Sequence, residues 1–298
     1  MTVLIPGAAG QLGQAMVRRL SVDHQVIGLT HRELDITRLD TVMAAVTSQR
    51  PDAIVNCASY NDVNRAEVEP VRALEANAWG PWNLARAAAA VEATLVHFST
   101  DFVFDGEASA PYAEADAPRP QGRYAVSKLL GEWLATEAPR AYILRVESLF
   151  GGPRAKSSVD MLLTAVRSGQ AARPFSDRVT SPSYVEDVTE ATSRLLQTAP
   201  PPGLYHCVNS GMTTWLDLTR ELARLAGHPD ARIEPLRLAD ANLVPPRPRF
   251  AALSNAKLAS VGIEMPAWED ALRRYVTVKK DMKDMKIAWE RSFPNNSS

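Results

Sequence analysis

Tyr124 and Lys128 stand four residues apart in Arg123-Tyr124-Ala125-Val126-Ser127-Lys128. The stretch follows a loop marked by Pro118, Pro120 and Gly122 and runs on into Leu129-Leu130-Gly131-Glu132, a helical composition with few breakers. On a helix this spacing puts phenol and ammonium on one face, one turn apart. An ammonium beside a phenol favours the phenolate and lowers the tyrosine pKa from its ordinary value of about 10. A tyrosine tuned in this way gives or takes a proton near neutral pH. An ordinary amphipathic helix carries the same pair by chance, so the motif gains weight only from the rest of the chain.

The second chemically suggestive stretch is Gly7-Ala8-Ala9-Gly10-Gln11-Leu12-Gly13. It follows the apolar run Val3-Leu4-Ile5 and precedes the helical Gln14-Ala15-Met16-Val17-Arg18-Arg19-Leu20. Strand, glycine-rich turn and helix in that order are the context of a dinucleotide fingerprint. Glycines let the backbone approach a pyrophosphate, and the helix N-terminus offers free N–H groups. The spacing, Gly-x-x-Gly-x-x-Gly, is one residue wider at its start than the common dinucleotide form. A second strand, His24 to Leu29, ends in Thr30-His31-Arg32. A hydroxyl, an imidazole and a guanidinium suit a 2′-phosphate better than the carboxylate of NAD-specific folds does, which favours NADP. Glu33 keeps NAD open.

These residues need a frame. Pro51 to Ala58 reads as a third strand ending in small residues, and Ala93 to Phe98 as a fourth ending at Ser99-Thr100-Asp101. Hydroxyls at that edge can hold a substrate carbonyl. A helical tract from about Ala66 to Val91 carries breaks at Pro70 and near Gly80-Pro81, and Ala141 to Val146 is a fifth strand. Alternating strands and helices predict an α/β fold with a doubly wound parallel sheet of Rossmann type. Residues 1–150 form the expected dinucleotide-binding domain. Residues 151–278, where the pattern loosens, form a smaller C-terminal substrate-binding α/β lobe, with part of 178–200 returning to the first domain. The spacing predicts a last helix from Trp268 through Val278, and 279–298 reads as a solvated helix extension that frays into disorder.

Composition excludes several classes. The chain has 298 residues, 46% apolar and 22% charged, with a net charge of −1. That balance speaks against nucleic-acid and membrane-surface partners. Two cysteines, Cys57 and Cys207, lie in apolar runs and read as buried free thiols. Without an evident signal peptide or an apolar run of about 18 residues, a cytoplasmic location is expected. No spacing of His, Cys and carboxylates points to a catalytic metal.

With these pieces placed, the sequence resembles the extended short-chain dehydrogenases/reductases, and within them the dTDP-4-dehydrorhamnose reductase branch. The resemblance covers the chain to about Val276. It is carried by the glycine-rich turn, Asp35-Ile36-Thr37, Ile54 to Ala58, and Asn77 through Asn83-Leu84-Ala85. It is carried further by Ser99-Thr100-Asp101-Phe102-Val103-Phe104-Asp105-Gly106, Tyr124 through Glu132, and Gly203-Leu204-Tyr205-His206. It implies NADPH-dependent reduction of the C4 ketone of a nucleotide-linked 4-keto-6-deoxy sugar. Tyr124 would protonate the ketone oxygen, Lys128 would lower the tyrosine pKa and hold the nicotinamide ribose, and Thr100 would orient the carbonyl. Asp101 would line the sugar site. Gly10, Gln11 and Leu12 would meet the pyrophosphate, Asp35 and Ile36 would flank the adenine, and Cys57, Ala58 and Ser59 would pass the middle of the cofactor. Dimers are frequent among relatives, which leaves a homodimer open.

Two departures bear on the substrate. Where the family usually has a tryptophan after the fifth strand, the aligned residue is Ser148, and Glu147 beside it adds a negative charge near an anionic substrate. Asn64 stands where the family has an acid, ahead of Arg65-Ala66-Glu67. They keep open a reductase or epimerase acting on another sugar nucleotide or a small ketone. An NADP-binding regulatory subunit resembling methionine adenosyltransferase β is a third reading, disfavoured by the intact Thr100, Tyr124 and Lys128.

Overall fold

The computed structural model describes residues 1–152 and 156–292, with side chains to residue 280. Six parallel strands form one sheet: β1 (Thr2–Pro6), β2 (Gln25–Leu29), β3 (Ala53–Asn56), β4 (Thr94–Thr100), β5 (Ala141–Val146) and β7 (Gly203–His206). Their order is β2-β1-β3-β4-β5-β7. The sheet is doubly wound, and the direction of winding reverses between β1 and β3, where a crevice opens beyond the carboxyl ends of the strands. β7 closes the sheet edge beside β5.

Both sheet faces are covered, which is why β1, β3, β4 and β5 are apolar on both sides. One core packs Val3, Ile5 and Val55 against Met16 and Leu20 of α1 (Gln11–Leu20) and Val188 and Leu195 of α8 (Val185–Thr198). The other packs Leu4, Ile54 and Leu95 against α2 (Leu39–Gln49), α5 (Gly80–Val91) and α6 (Arg123–Ala135). A third cluster lies C-terminal. It joins Val159 and Leu162 of α7 (Ser158–Ser168), Trp215 and Leu222 of α9 (Trp215–Leu225) and Leu272 and Tyr275 of α11 (Trp268–Ser292). A two-stranded ribbon, β6 (Val179–Thr180) with β8 (Thr213–Thr214), stands beside it. α11 runs on past Val278 to Ser292, as the expected helix extension does; the remainder of the tail, 293–298, lies outside the described residues.

The break expected near Gly80-Pro81 is not a break. After α3 (Val63–Ala66) and α4 (Pro70–Leu74), residues Glu75–Trp79 wind as a π-helical turn that runs straight into α5. Pro81 has no N–H to give the preceding turn, and a widened turn accommodates that loss. The same turn pushes the Asn77 carbonyl against α6. A Cβ at Gly131 would lie 1.9 Å from that oxygen, so only glycine fits there.

Candidate active site

The crevice at the winding reversal is a cavity of about 460 Å³. Its lining includes Gly10, Gln11 and Leu12 from the first turn, Cys57, Ala58 and Ser59 after β3, Thr100 and Asp101 at the end of β4, Tyr124 and Lys128 on α6, and Ser148 after β5. Eleven residues picked from five separate stretches of sequence therefore meet at one place.

The glycine-rich turn is shaped as an anion cradle. Gly7 has φ +78°, and a Cβ there would lie 2.5 Å from the Ala58 amide nitrogen. Gly13 packs its α-carbon against the Gly7 carbonyl. Gly10 caps α1 without any side-chain hydrogen bond, and the first turn holds no acidic residue. The N–H groups there are unclaimed by side chains, which is the donor set a dinucleotide pyrophosphate fits. Gln11 is fixed by donating from Nε2 to the Gly151 carbonyl at 2.9 Å.

The adenine end differs from expectation. Thr30 and Arg32 lie outside the cavity, and Arg32 is exposed. Glu33, the residue that kept NAD open, turns back to accept from the Thr30 N–H at 2.8 Å, and that bond holds its carboxyl below the usual range. Asp35 likewise accepts from the Thr37 N–H and hydroxyl. The Ile36 side chain is buried in the sheet core, so it can offer an adenine only its backbone.

Two sequence expectations about charge are corrected. Lys128 was expected to lower the Tyr124 pKa. In the closed cleft burial raises Tyr124 above its ordinary value, and Asp101 adds to the rise. Burial also lowers Lys128 to about 8, with Glu132 opposing. The Lys128 Nζ donates instead to the Phe98 carbonyl at 2.5 Å. Removal from water outweighs the mutual effect of the pair, so the phenol keeps its proton at neutral pH. Glu147, expected to face the substrate, is 1% exposed and lies behind the cleft wall. Its carboxyl accepts from the Thr180 hydroxyl and from the Ser181 N–H. Burial, then the neighbouring Asp101, push it well above the carboxylate range. Both cysteines are free, but Cys57 is only partly buried.

Other residues of the site carried no assigned role in the sequence. Arg178, Trp215 and Arg247 line the cleft from the C-terminal half. Arg178 and Arg247 both lie over the Phe102 ring, at 5.8 and 5.7 Å, and Phe102 packs edge-on against Tyr124. Trp215 adds an aromatic side chain to this wall. Asn77 braces the acid from behind: it donates to the Ser127 hydroxyl at 3.0 Å, and Ser127 donates to the Tyr124 carbonyl at 2.7 Å. Nothing local in the sequence marks Arg178, Trp215 or Arg247 as site residues.

Fold and site together are those of an extended short-chain dehydrogenase/reductase. The family described as the RmlD substrate binding domain matches residues 1–280, and the chain belongs to that family. It is 33% identical to a dTDP-4-dehydrorhamnose reductase of Mycolicibacterium smegmatis, over 91% of this chain and 84% of that one. It is 35% identical to a probable dTDP-4,6-dihydroxy-2-methyloxan-3-one 4-ketoreductase of Streptomyces antibioticus, over 92% and 94% of the two chains. Among solved structures, a dTDP-4-dehydrorhamnose reductase from Bacillus anthracis in complex with NADP superposes with a TM-score of 0.87 at 30% identity, covering 92% of this chain and 98% of that one.

Proposed function

We propose that this chain reduces the C4 ketone of a nucleotide-linked 4-keto-6-deoxy sugar with NADPH, converting dTDP-4-dehydro-L-rhamnose to dTDP-L-rhamnose. The observation that carries the reading is the meeting of Thr100, Tyr124 and Lys128 in one cleft with an uncapped helix N-terminus. Residues 1–150 with α8 serve as the cofactor half, and residues 151–278 as the substrate lobe. A second sugar remains a reading in its own right, because Ser148 narrows the aromatic wall and a 4-ketoreductase of a different sugar stands among the relatives.

The backbone at Gly10, Gln11 and Leu12 would hold the pyrophosphate, and Arg32 would meet a 2′-phosphate. Bound there, the reduced nicotinamide supplies a hydride. Thr100, whose hydroxyl donates to Asp101 Oδ1 at 3.0 Å, orients the ketone. Tyr124, held protonated by burial, gives its phenolic proton to the ketone oxygen as negative charge grows there. Lys128, whose Nζ donates to the Phe98 carbonyl at 2.5 Å, would hold the nicotinamide ribose. Phe102 and Trp215 keep the cleft dry, which strengthens each of these interactions.

The test is cofactor oxidation with enzymatically generated dTDP-4-keto-L-rhamnose, with NADPH and NADH compared. Turnover with preference for NADPH is expected. Arg32→Ala should weaken NADPH far more than NADH; equal loss for both contradicts the 2′-phosphate role. Tight NADPH binding without turnover on any ketosugar would favour a regulatory role instead.

A further inference from the structure

Arg178, the residue before β6, and Asp101, at the end of β4, both line the cleft and are 9% and 2% exposed. They face each other without a hydrogen bond. Arg178 Nη2 stands 3.7 Å from Asp101 Oδ2. Among the described residues neither that oxygen nor Arg178 Nε has a partner, and the indole Nε1 of Trp215 has none either. The guanidinium lies over the Phe102 and Trp215 rings, at 5.8 and 6.0 Å. Those rings steady it and leave its N–H groups unused. Buried polar groups of folded proteins are nearly always hydrogen-bonded, so a donor and an acceptor left open on a cleft wall mark something that a ligand completes.

The chemistry of the pair narrows what that ligand group is. A bare anion would suit Arg178, but Asp101 beside it repels one. Burial raises Asp101 only to about 6, so at pH 7.5 it is a carboxylate and accepts only. A hydroxyl satisfies both sides at once, donating to Asp101 Oδ2 and accepting from the guanidinium, and both bonds are charge-assisted. The position of the pair selects the hydroxyl. Asp101 Oδ1 accepts from the Thr100 hydroxyl at 3.0 Å, so the open side of this carboxylate adjoins the residue that orients the ketone. In a 4-keto-6-deoxy pyranose, one neighbour of the ketone, C5, carries the ring oxygen and a methyl group. The other neighbour, C3, carries a hydroxyl. We propose that Asp101 and Arg178 recognise the C3 hydroxyl of the ketosugar and thereby determine which 4-ketosugars the chain accepts. The proposal rests on the reductase reading above.

The test compares dTDP-4-keto-L-rhamnose with its 3-deoxy analogue, in wild type and in Arg178→Met, by NADPH oxidation at pH 7.5. The wild type should favour the 3-hydroxy sugar in kcat/KM by about 10²-fold or more, because its open polar groups stay unpaired with the analogue. Arg178→Met should lose most of its activity on the 3-hydroxy sugar and far less on the analogue, so the preference falls below about tenfold. Arg178→Lys keeps the charge without the fork and should give an intermediate preference, which serves as the variant if methionine disturbs folding. Product binding supplies a readout free of turnover: dTDP-L-rhamnose should bind the wild type at least about tenfold more tightly than its 3-deoxy counterpart, and Arg178→Met should bind the two nearly alike. A wild type that reduces both sugars equally overturns the C3 subsite and leaves the reductase reading standing. Equal loss on both sugars in the Arg178 variants also overturns it, and points to the carrier's phosphates as the group Arg178 meets. A wild type that reduces neither sugar, nor any other nucleotide-linked ketosugar, refutes the reductase reading and, with it, the subsite.

Discussion

Two buried charge clusters grow from neighbouring residues of the same two strands, and they are built on opposite terms. Ser99 and Arg145, paired in register on β4 and β5, join Glu132 of α6. Arg145 donates to both Glu132 oxygens, at 2.8 and 2.7 Å, and Ser99 donates to one of them at 2.5 Å. The guanidinium also approaches His206 and lies over the Phe104 ring. One acid meets one base, and no buried side-chain polar atom of Ser99, Glu132 or Arg145 lacks a partner. One or two residues further along each strand, Asp101 lies 3.7 Å from Arg178 with its Oδ2 and the Arg178 Nε both unpartnered, and the buried Glu147 accepts from Thr180 and Ser181. The closed cluster pins α6, β4 and β5 together. The open one faces the cleft, where a proton must move. A fully satisfied network resists change, while a partly satisfied one keeps a state that can shift.

That contrast can be broken from either side. The largest effect is expected from Arg145→Met, which strands the Glu132 carboxylate in the core and should cost about 3–5 kcal/mol in denaturant unfolding. The double variant with Glu132→Leu should recover most of that loss; no recovery would mean Arg145 acts through packing alone. Tyr124→Phe should lower turnover by about 10²-fold or more and leave stability and NADPH affinity nearly unchanged, since only the proton donor is removed. Full activity in that variant would undo the assignment of the acid.

Asp101→Asn sharpens the contrast, because it relieves strain in the open cluster. The folded pKa of Asp101 is raised by burial to about 6. A group raised in this way stabilises the fold below its unfolded pKa and loses that contribution as pH rises through about 6. The variant should therefore be more stable than the wild type at pH 7.5, by on the order of 2 kcal/mol, and not at pH 4. It should also turn over more slowly. A loss of stability at pH 7.5 would mean that the Arg178 ion pair outweighs the burial cost. The smallest effect concerns Lys128, which burial lowers to about 8. As pH rises through that value the ammonium is lost, so kcat/KM should fall on the alkaline side near pH 8. A Lys128→Arg variant should move the fall upward.

Much of this was legible in the sequence because it is local. The strand–turn–helix at Gly7–Gly13 and the Tyr124–Lys128 spacing depend on residues a few positions apart, and short apolar runs marked β3, β4 and β5. The π turn at Glu75–Trp79 was misread as a break because Pro81 signals an interruption without saying how the chain absorbs it. Arg178, Trp215 and Arg247 reach the cleft only when the C-terminal half folds over it, and no local pattern records that. The charge states of Tyr124, Lys128 and Glu147 escaped for another reason. Residue spacing reports which charges are near one another, whereas in this cleft the loss of water decides the outcome.

The most direct test of the account uses NADPH deuterated at the transferring position of its nicotinamide, with dTDP-4-keto-L-rhamnose. The account predicts deuterium at C4 of the sugar product and, for Tyr124→Phe, the same product formed about 10²-fold more slowly. Tight cofactor binding with no deuterium delivered to this or any other nucleotide-linked ketosugar would contradict it.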